Sequence, residues 1–457
     1  MSQKSFSDLG VPAAIAQVLI AQGIDSPFPI QVDTLPDTLA GRDVLGRGKT
    51  GSGKTLAFSI PMVARLAGQR SNSDRKPRGL VLAPTRELAT QITQTLQPLA
   101  EAMNLRVTTI FGGISQNRQV QALKSGVEII VATPGRVEDL MAQGFLKLDA
   151  IEITVLDEAD HMADLGFLPG VTRILNATPS GGQRLLFSAT LDNGVNKLVD
   201  KFLSNQVMHS VDEANSPVAQ MTHHVFEASD AQSKKQLVQA LASGTGRRIL
   251  FMRTKHTAKK LAKTLTQAGI PAVDLHGNLS QPARDRNLAA FSEGKVNVLV
   301  ATDVAARGVH VDSVDLVVHV DPPAEHKAYL HRSGRTARAG AEGDVVTISL
   351  PEQRKDVIDL LKMAKIDLVP MRVSAKSEEV VELIGEVAPY VKPVTEAPKP
   401  QGGGTSTGRN AQRKRALKQG GNAQQKSGRP NGQGAGHDRS AKPARPANAN
   451  RNRQRSR

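Results

Sequence analysis

Gly48-Lys49-Thr50-Gly51-Ser52-Gly53-Lys54-Thr55 fits the pattern G-x-x-x-x-G-K-[ST], entered by the apolar step Val44-Leu45 and followed by a helix-length run. Glycines at this spacing let backbone N–H groups curl around phosphate oxygens at a helix N-terminus. Lys54 supplies a cation to the β- and γ-phosphates of a nucleotide, and the Thr55 hydroxyl can ligate Mg²⁺. Downstream, the apolar run at 153–156 leads directly into Asp157-Glu158-Ala159-Asp160. That places carboxylates at the C-terminal end of a buried strand, where doubly wound sheets bind ligands. Asp157 would hold Mg²⁺ through water, and Glu158 would orient or deprotonate the water attacking a phosphoanhydride.

Around these two stretches, short β-rich runs alternate with longer helical patterns at 79–83, 107–111, 127–132, 153–156 and 184–187. Alternation of this kind predicts an α/β fold with one parallel sheet flanked by helices. It restarts after the Pro-, Asn- and acid-containing stretch at 211–220, with strand candidates at 248–252, 272–275, 296–301, 316–320 and 345–350. The expected organisation is a first domain at 1–210, a linker at 211–220, a second domain at 221–372, a short acidic extension at 373–397 and a tail at 398–457. Residues 377–388 read as a short amphipathic helix packed on the second domain.

Composition narrows the chemistry. The 457 residues include no Cys and no Trp, which excludes disulfides, Cys-ligated zinc, iron–sulfur clusters and a thiol nucleophile. No run approaches the ~18 apolar residues of a membrane span, and no secretory leader pattern opens the chain, so a cytoplasmic protein without a membrane role is expected. The net charge of +16 is unevenly placed. Residues 398–457 hold 15 Lys and Arg against the single acid Asp438, a charge of +14, which leaves +2 for residues 1–397. The tail is built mostly from Gly, Asn, Gln, Arg, Lys, Ala, Ser and Pro, with Leu417 as its one large aliphatic residue. It reads as a disordered polycation that attracts phosphate backbones by counterion release.

Taken in order, the short motifs of residues 1–370 resemble the DEAD-box RNA helicase family. The first domain carries Phe6 upstream of the stretch from Gly23 to Gln31, then the glycine-rich loop, Pro84-Thr85-Arg86-Glu87-Leu88-Ala89, Gly112-Gly113, Thr133-Pro134-Gly135-Arg136, the acidic tetrad and Ser188-Ala189-Thr190. The second carries Phe251-Met252-Arg253-Thr254, His276-Gly277, Gln281 with Arg284, the stretch from Ala301 to Gly308, and His331-Arg332-Ser333-Gly334-Arg335-Thr336-Ala337-Arg338.

The resemblance implies two tandem RecA-like domains. It also implies that Gln31 reads the adenine edge, Phe6 stacks on its face, and Arg335 and Arg338 are arginine fingers. An RNA strand is expected over Pro84, Thr85, Arg86, Gly112, Gly113, Thr133 to Arg136, Arg253, Arg284 and Thr302. Asp160, Ser188, Thr190, Asp303, Arg307 and His331 would couple nucleotide to RNA. Because Lys54, Asp157 and Glu158 precede the linker whereas Arg335 and Arg338 follow it, neither domain can hydrolyse ATP alone, and closure would complete the site.

Several positions depart from the family pattern. Ile24 stands where an aromatic is usual, Phe28 replaces Ser or Thr, Gly48 replaces Ala, Ala337 replaces Gly, and His310 replaces an Asp that contacts the ribose. The core followed directly by a basic tail resembles the bacterial RhlE-type branch. The function implied is RNA-stimulated hydrolysis of Mg²⁺-ATP coupled to local opening of short RNA duplexes, with single-stranded RNA and short duplexes as partners and the tail on the RNA backbone. Its rivals are a DNA translocase, disfavoured by the adenine motif together with Ser188-Ala189-Thr190, and an RNA-annealing or scaffold protein acting through the tail.

Overall fold

Apolar residues that alternate along a strand must be covered on both faces, and in this chain they sort into four cores on two sheets. In the computed structural model, which describes residues 4–48, 51–68, 76–191, 193–211, 221–306, 314–337 and 342–393, Leu80 and Leu82 enter one core while Val81 enters the core on the opposite face. Leu299 and its neighbours Val298 and Val300 divide in the same way on the second sheet. Strands buried on both faces are characteristic of parallel sheets sandwiched between helices.

The first sheet comprises β1 (Val44–Arg47), β2 (Gly79–Leu82), β3 (Val107–Ile110), β4 (Ile129–Ala132), β5 (Ile153–Asp157), β6 (Gln183–Ser188) and β7 (Val207–Ser210). The second comprises β8 (Met221–Glu227), β9 (Arg248–Phe251), β10 (Ala272–Leu275), β11 (Val298–Ala301), β12 (Leu316–His319), β13 (Gly343–Ser349) and β14 (Met371–Arg372). Their orders are β3-β4-β2-β5-β6-β1-β7 and β10-β11-β9-β12-β13-β8-β14, parallel throughout, so one winding is used twice. Central strands such as β2, β4 and β11 are fully buried, whereas β3, β7, β10 and β14 carry Thr, Ser, His, Asp or Arg and lie at the sheet edges.

All ten strands expected from sequence are present, with ends moved by up to two residues; β7, β8 and β14 are additional, and Val44-Leu45 opens the four-residue β1. The amphipathic stretch forms the helix Glu378–Ile384, which buries Val380 and Ile384 in a core of the second sheet. Arg248 Nη2 donates to the Ile384 carbonyl at 2.8 Å. Residues 212–220 of the expected linker and the whole tail at 398–457 lie outside the described residues, while Met1–Pro393 form one compact unit.

Candidate active site

Strand register brings the loop and the acids together. Gly46 of β1 and Asp157 of β5 both pair with Phe187 of the intervening β6, and Arg47 pairs with Ser188. The carboxyl ends of three neighbouring strands therefore lie level. Gly46 is required here because a Cβ would collide with the Phe187 ring. Beyond β1, Gly48 N–H donates to the Ser188 carbonyl at 3.1 Å, and Gly51 and Gly53 take left-handed φ values of 90° and 88°. Gly53 is doubly constrained, since a Cβ would also stand 2.5 Å from Phe28 Cδ2. Lys54 opens the helix Lys54–Leu66, is buried, and donates from Nζ to the Gly48 carbonyl at 2.5 Å. Ser52 Oγ is buried with no hydrogen-bond partner among the described residues, and Thr55 is half-buried on the first helical turn. Lys49 and Thr50 lie outside the described residues.

Two adjacent carboxyls are driven apart by their surroundings. Burial pushes Asp157 up to about 7, against the opposing pull of Lys54 and with a further push from Glu158. Burial also acts upward on Glu158, but the hydrogen bond and charge of His161, then Arg335 and Lys54, outweigh it and bring that carboxyl down to about 2. Glu158 has φ 51° and ψ 53°, a left-handed conformation that costs a non-glycine residue on the order of 1 kcal/mol. Asp160 Oδ2 accepts from both the N–H and the hydroxyl of Thr190 at 2.9 Å. Ser188 Oγ accepts from Asp160 N–H at 3.2 Å and donates to the Thr190 carbonyl at 2.8 Å. The acidic tetrad and Ser188-Ala189-Thr190 are thus a single network.

The second sheet repeats the device. Leu275, Ala301, Phe251 and His319 lie level across β10, β11, β9 and β12, so His276, Thr302 and Met252 to Thr254 follow along one edge. Arg332, which sequence reasoning did not select, is buried and grips Asp303 with two bonds, Nε to Oδ1 at 2.5 Å and Nη2 to Oδ2 at 2.7 Å. Its third nitrogen donates to the Asp321 carbonyl at 2.7 Å, and its guanidinium stands 5.2 Å from the Phe251 ring centroid. The signal for Arg332 was available as an arginine inside a helical turn next to His331, but its partner is 29 positions away. Arg335 is buried, donates from Nε to the His331 carbonyl at 3.2 Å, and lies near enough to Glu158 to favour its charged form. Ala337, where the family pattern has glycine, takes φ 51°. Arg307, His310 and Arg338 lie outside the described residues.

The other half of the first sheet's carboxyl edge gathers the residues expected at RNA. Leu82, Ala132 and Ile110 lie level on β2, β4 and β3, so Pro84 to Arg86, Thr133 to Arg136 and Gly112-Gly113 leave the sheet side by side. Thr85 caps the helix Arg86–Ala102 by accepting from Leu88 N–H at 3.2 Å, and Thr133 stands at the N-cap of the helix Pro134–Ala142. Gly113 has φ 83°, and the Arg86 guanidinium fills the space a Cβ would need. Arg136 Nε stands 3.5 Å from Asp139, and its Nη1 is buried without a partner among the described residues. Arg253 is exposed, and its N–H donates to Asp321 Oδ2 at 3.0 Å. Thr302 is half-buried, with its N–H on the Leu275 carbonyl at 3.1 Å.

Three residues expected at ligands are engaged within the protein itself. Arg284 is buried: its Nε donates to Glu87 Oε1 at 2.7 Å, joining the second sheet's domain to the first. Gln281 Nε2 reaches the same oxygen at 3.2 Å, and Arg86 Nη1 donates to Gln281 Oε1 at 3.1 Å. Phe6 is packed in the first hydrophobic core with Leu9 and Val11. Gln31 is buried, its Oε1 accepting from Phe28 N–H at 2.9 Å and its Nε2 donating to the Gly53 carbonyl at 2.8 Å. That second bond ties Gln31 to the phosphate loop.

Residues 28–198 match the DEAD/DEAH box helicase family and residues 232–340 match the helicase conserved C-terminal domain. RNA helicase CrhR of Synechocystis sp. is 36% identical over 353 residues, 77% of this chain and 71% of that protein. DEAD-box ATP-dependent RNA helicase 53 of Oryza sativa subsp. japonica is 38% identical over 356 residues, 76% of this chain but only 58% of the rice protein. The chain therefore spans less than two thirds of that curated relative. Among solved structures, S. cerevisiae Dbp5 bound to RNA and ADP BeF3 has a TM-score of 0.73 at 29% identity, covering 84% of this chain and 100% of that one.

Proposed function

Because the chain belongs to the DEAD-box RNA helicase family, we propose that it is an RNA-stimulated ATPase that opens short RNA duplexes when its two RecA-like domains close on ATP and RNA. The observation that carries the reading is the buried Arg284–Glu87 contact at 2.7 Å between the second domain and the first, with Arg335 of the second domain near enough to Glu158 of the first to favour its charged form. Residues 1–210 bind nucleotide in this reading, and residues 221–372 complete the site.

The residues present fit a divalent cation and a nucleotide. Asp157 is a buried carboxyl pushed up to about 7 beside a half-buried hydroxyl at Thr55, and Ser52 Oγ is an unpaired polar atom in a glycine cradle. Thr55 and Asp157 would hold Mg²⁺, which neutralises charge on the phosphates when bound. Lys54 exchanges its bond to the Gly48 carbonyl for phosphate oxygens. Glu158 accepts the proton of the attacking water as the new oxygen–phosphorus bond forms and the bond to the ADP leaving oxygen breaks. Arg335, joined by Arg338 on the family pattern, opposes charge on the transferring phosphoryl group; such a residue contributes on the order of 10³–10⁵ in rate. Asp160, Ser188 and Thr190 transmit the state of this site, and Asp303, Arg307 and His331 do so from the second domain.

RNA runs along the edge formed by Pro84 to Arg86, Gly112-Gly113 and Thr133 to Arg136, and continues past Arg253 and Thr302 on the second domain. Phosphate and sugar contacts of this kind carry little base information. A nearly neutral core followed by a basic tail supports placing the chain on the RhlE-type branch, as a cytoplasmic enzyme whose tail tethers the RNA backbone. No helix among the described residues is long and apolar enough to cross a membrane.

The test is Mg²⁺-dependent ATP hydrolysis by the full chain without nucleic acid, with single-stranded RNA and with matched DNA, at one fixed salt concentration. Stimulation by RNA alone is expected. Equal stimulation by DNA would point to a translocase instead, and no hydrolysis under any condition would leave a tail-based scaffold.

A further inference from the structure

Glu158 leaves β5 in the left-handed region, so no regular element fixes where its carboxylate points. The next element, the helix Ala159–Asp164, supplies a fixed group: His161 Nδ1 stands 3.1 Å from Glu158 Oε2. A carboxylate only accepts, so Nδ1 carries the proton of that bond. The imidazole is itself held in place. It is 3% exposed, and its backbone N–H donates at 3.0 Å to Asp160 Oδ1, whose other oxygen takes both Thr190 donors.

Packing alone does not account for a histidine at this position. Its Nε2 is buried with no partner among the described residues, a cost an apolar side chain between Ala159 and Met162 would not incur. Such a group persists where its other nitrogen performs a task the fold does not supply otherwise.

We propose that His161 is a positioning residue of the ATPase, whose Nδ1–H holds the Glu158 carboxylate in the orientation that receives the proton of the attacking water. The inference rests on the hydrolytic role given to Glu158 above. In this reading His161 acts through Glu158. The motif used to recognise the site ends at Asp160, one residue before it.

The test is a double-mutant cycle in the full chain, using His161→Leu and His161→Asn, each alone and with Glu158→Gln. The readouts are kcat and KM for ATP, with and without saturating single-stranded RNA. His161→Leu should lower kcat about 10- to 100-fold, the usual effect of losing a group that orients a functional ligand, and leave KM within about twofold. Asn carries an amide nitrogen as many bonds from Cβ as Nδ1 and should restore most of the rate. With Glu158→Gln present, His161→Leu should add nothing, because the group it orients is already lost. An unchanged kcat, an Asn variant as slow as Leu, or a full additional loss on the Glu158→Gln background would each overturn the proposal. Running the cycle on the basal rate separates the two readings: a chain that hydrolyses ATP without responding to RNA defeats the helicase reading and still reports on His161.

Discussion

Asp157 and Glu158 are adjacent, yet one carboxyl is pushed to about 7 and the other drawn to about 2. In the proposed function the split gives them different tasks, since a buried acid short of countercharge suits a cation and an ionised acid suits proton acceptance. Glu158→Gln keeps the shape and removes the base, so kcat should fall about 10²- to 10⁴-fold while nucleotide binding persists. Steady-state hydrolysis beside binding of a fluorescent ATP analogue would decide it, and a variant that loses binding in step with rate would assign Glu158 to substrate capture instead. Both acids were legible in the sequence because a strand pattern runs straight into them. Arg332 and His161 were not: the first depends on Asp303 lying across a helix–helix contact, and the second on a left-handed turn that no residue type announces. Arg284 and Phe6 were picked out by motif for RNA and adenine, while the contacts they make within the chain, with Glu87 and with the first hydrophobic core, were not legible in the sequence.

Among the elements, β8, β12 and β13 share a buried polar seam with the helix His326–Ser333. His223 Nδ1 is 2.9 Å from the Tyr329 hydroxyl, and His319 Nδ1 is 3.2 Å from Thr347 Oγ1. Burial, reinforced by neighbouring His224, lowers His223 from 6.5 to about 4, and burial with Arg332 and His223 lowers His319 well below its ordinary value. The unfolded chain therefore binds protons that the folded chain refuses. The stability these neutral rings contribute is complete above about 6.5 and is lost as pH falls toward 4. For His223 alone, the drop between pH 7 and pH 5 is about 2 kcal/mol. His223→Gln, which keeps a hydrogen-bonding group but cannot titrate in this range, should narrow the gap between urea midpoints at the two pH values; an undiminished gap would remove the seam from the account. The same seam explains why β8 escaped sequence reading. Met221 to Glu227 includes Thr222, His223 and His224 where an obvious strand would be apolar, and β7 and β14 are equally short of the Val, Ile and Leu runs that marked the other strands. β7 and β14 at the sheet edges and β8 along the seam depend on partners distant in sequence, whereas β3 and β10, also at edges, keep enough β-branched or apolar residues to be marked.

At the scale of the molecule, the proposed function gives RNA binding two separable contributions: closure of the core and charge on the tail. In the proposed function closure is held by Glu87 and Arg284, both buried and 2.7 Å apart, and a buried charge left without its partner costs on the order of 3–5 kcal/mol. Arg284→Gln leaves Glu87 buried without its cation where the domains meet, and it also removes bonds to the His276 and Ala305 carbonyls at 3.4 and 3.3 Å within the second domain. The gain in RNA affinity produced by a non-hydrolysable ATP analogue should therefore fall at least about tenfold, as expected for a coupling energy of about 1–3 kcal/mol, with nucleotide affinity of the first domain unchanged; an undiminished gain would remove the joint from the coupling. The tail acts differently. Residues 398–457, outside the described residues, concentrate +14 of the chain's +16, and a polycation neutralises phosphates without selecting among RNA shapes. Every phosphate left without a neutralising cation lowers the slope of log affinity against log salt by about 0.7 for single strands. Deleting 398–457 should weaken RNA binding at low salt and flatten that slope by several units, while kcat at saturating RNA stays near its original value because Lys54, Asp157, Glu158 and Arg335 are untouched. A slope that survives deletion would place the ionic contacts on the core. A kcat that falls with the tail at saturating RNA would make the tail part of the closure step, since tethering alters how often RNA arrives but not how fast a closed complex turns over.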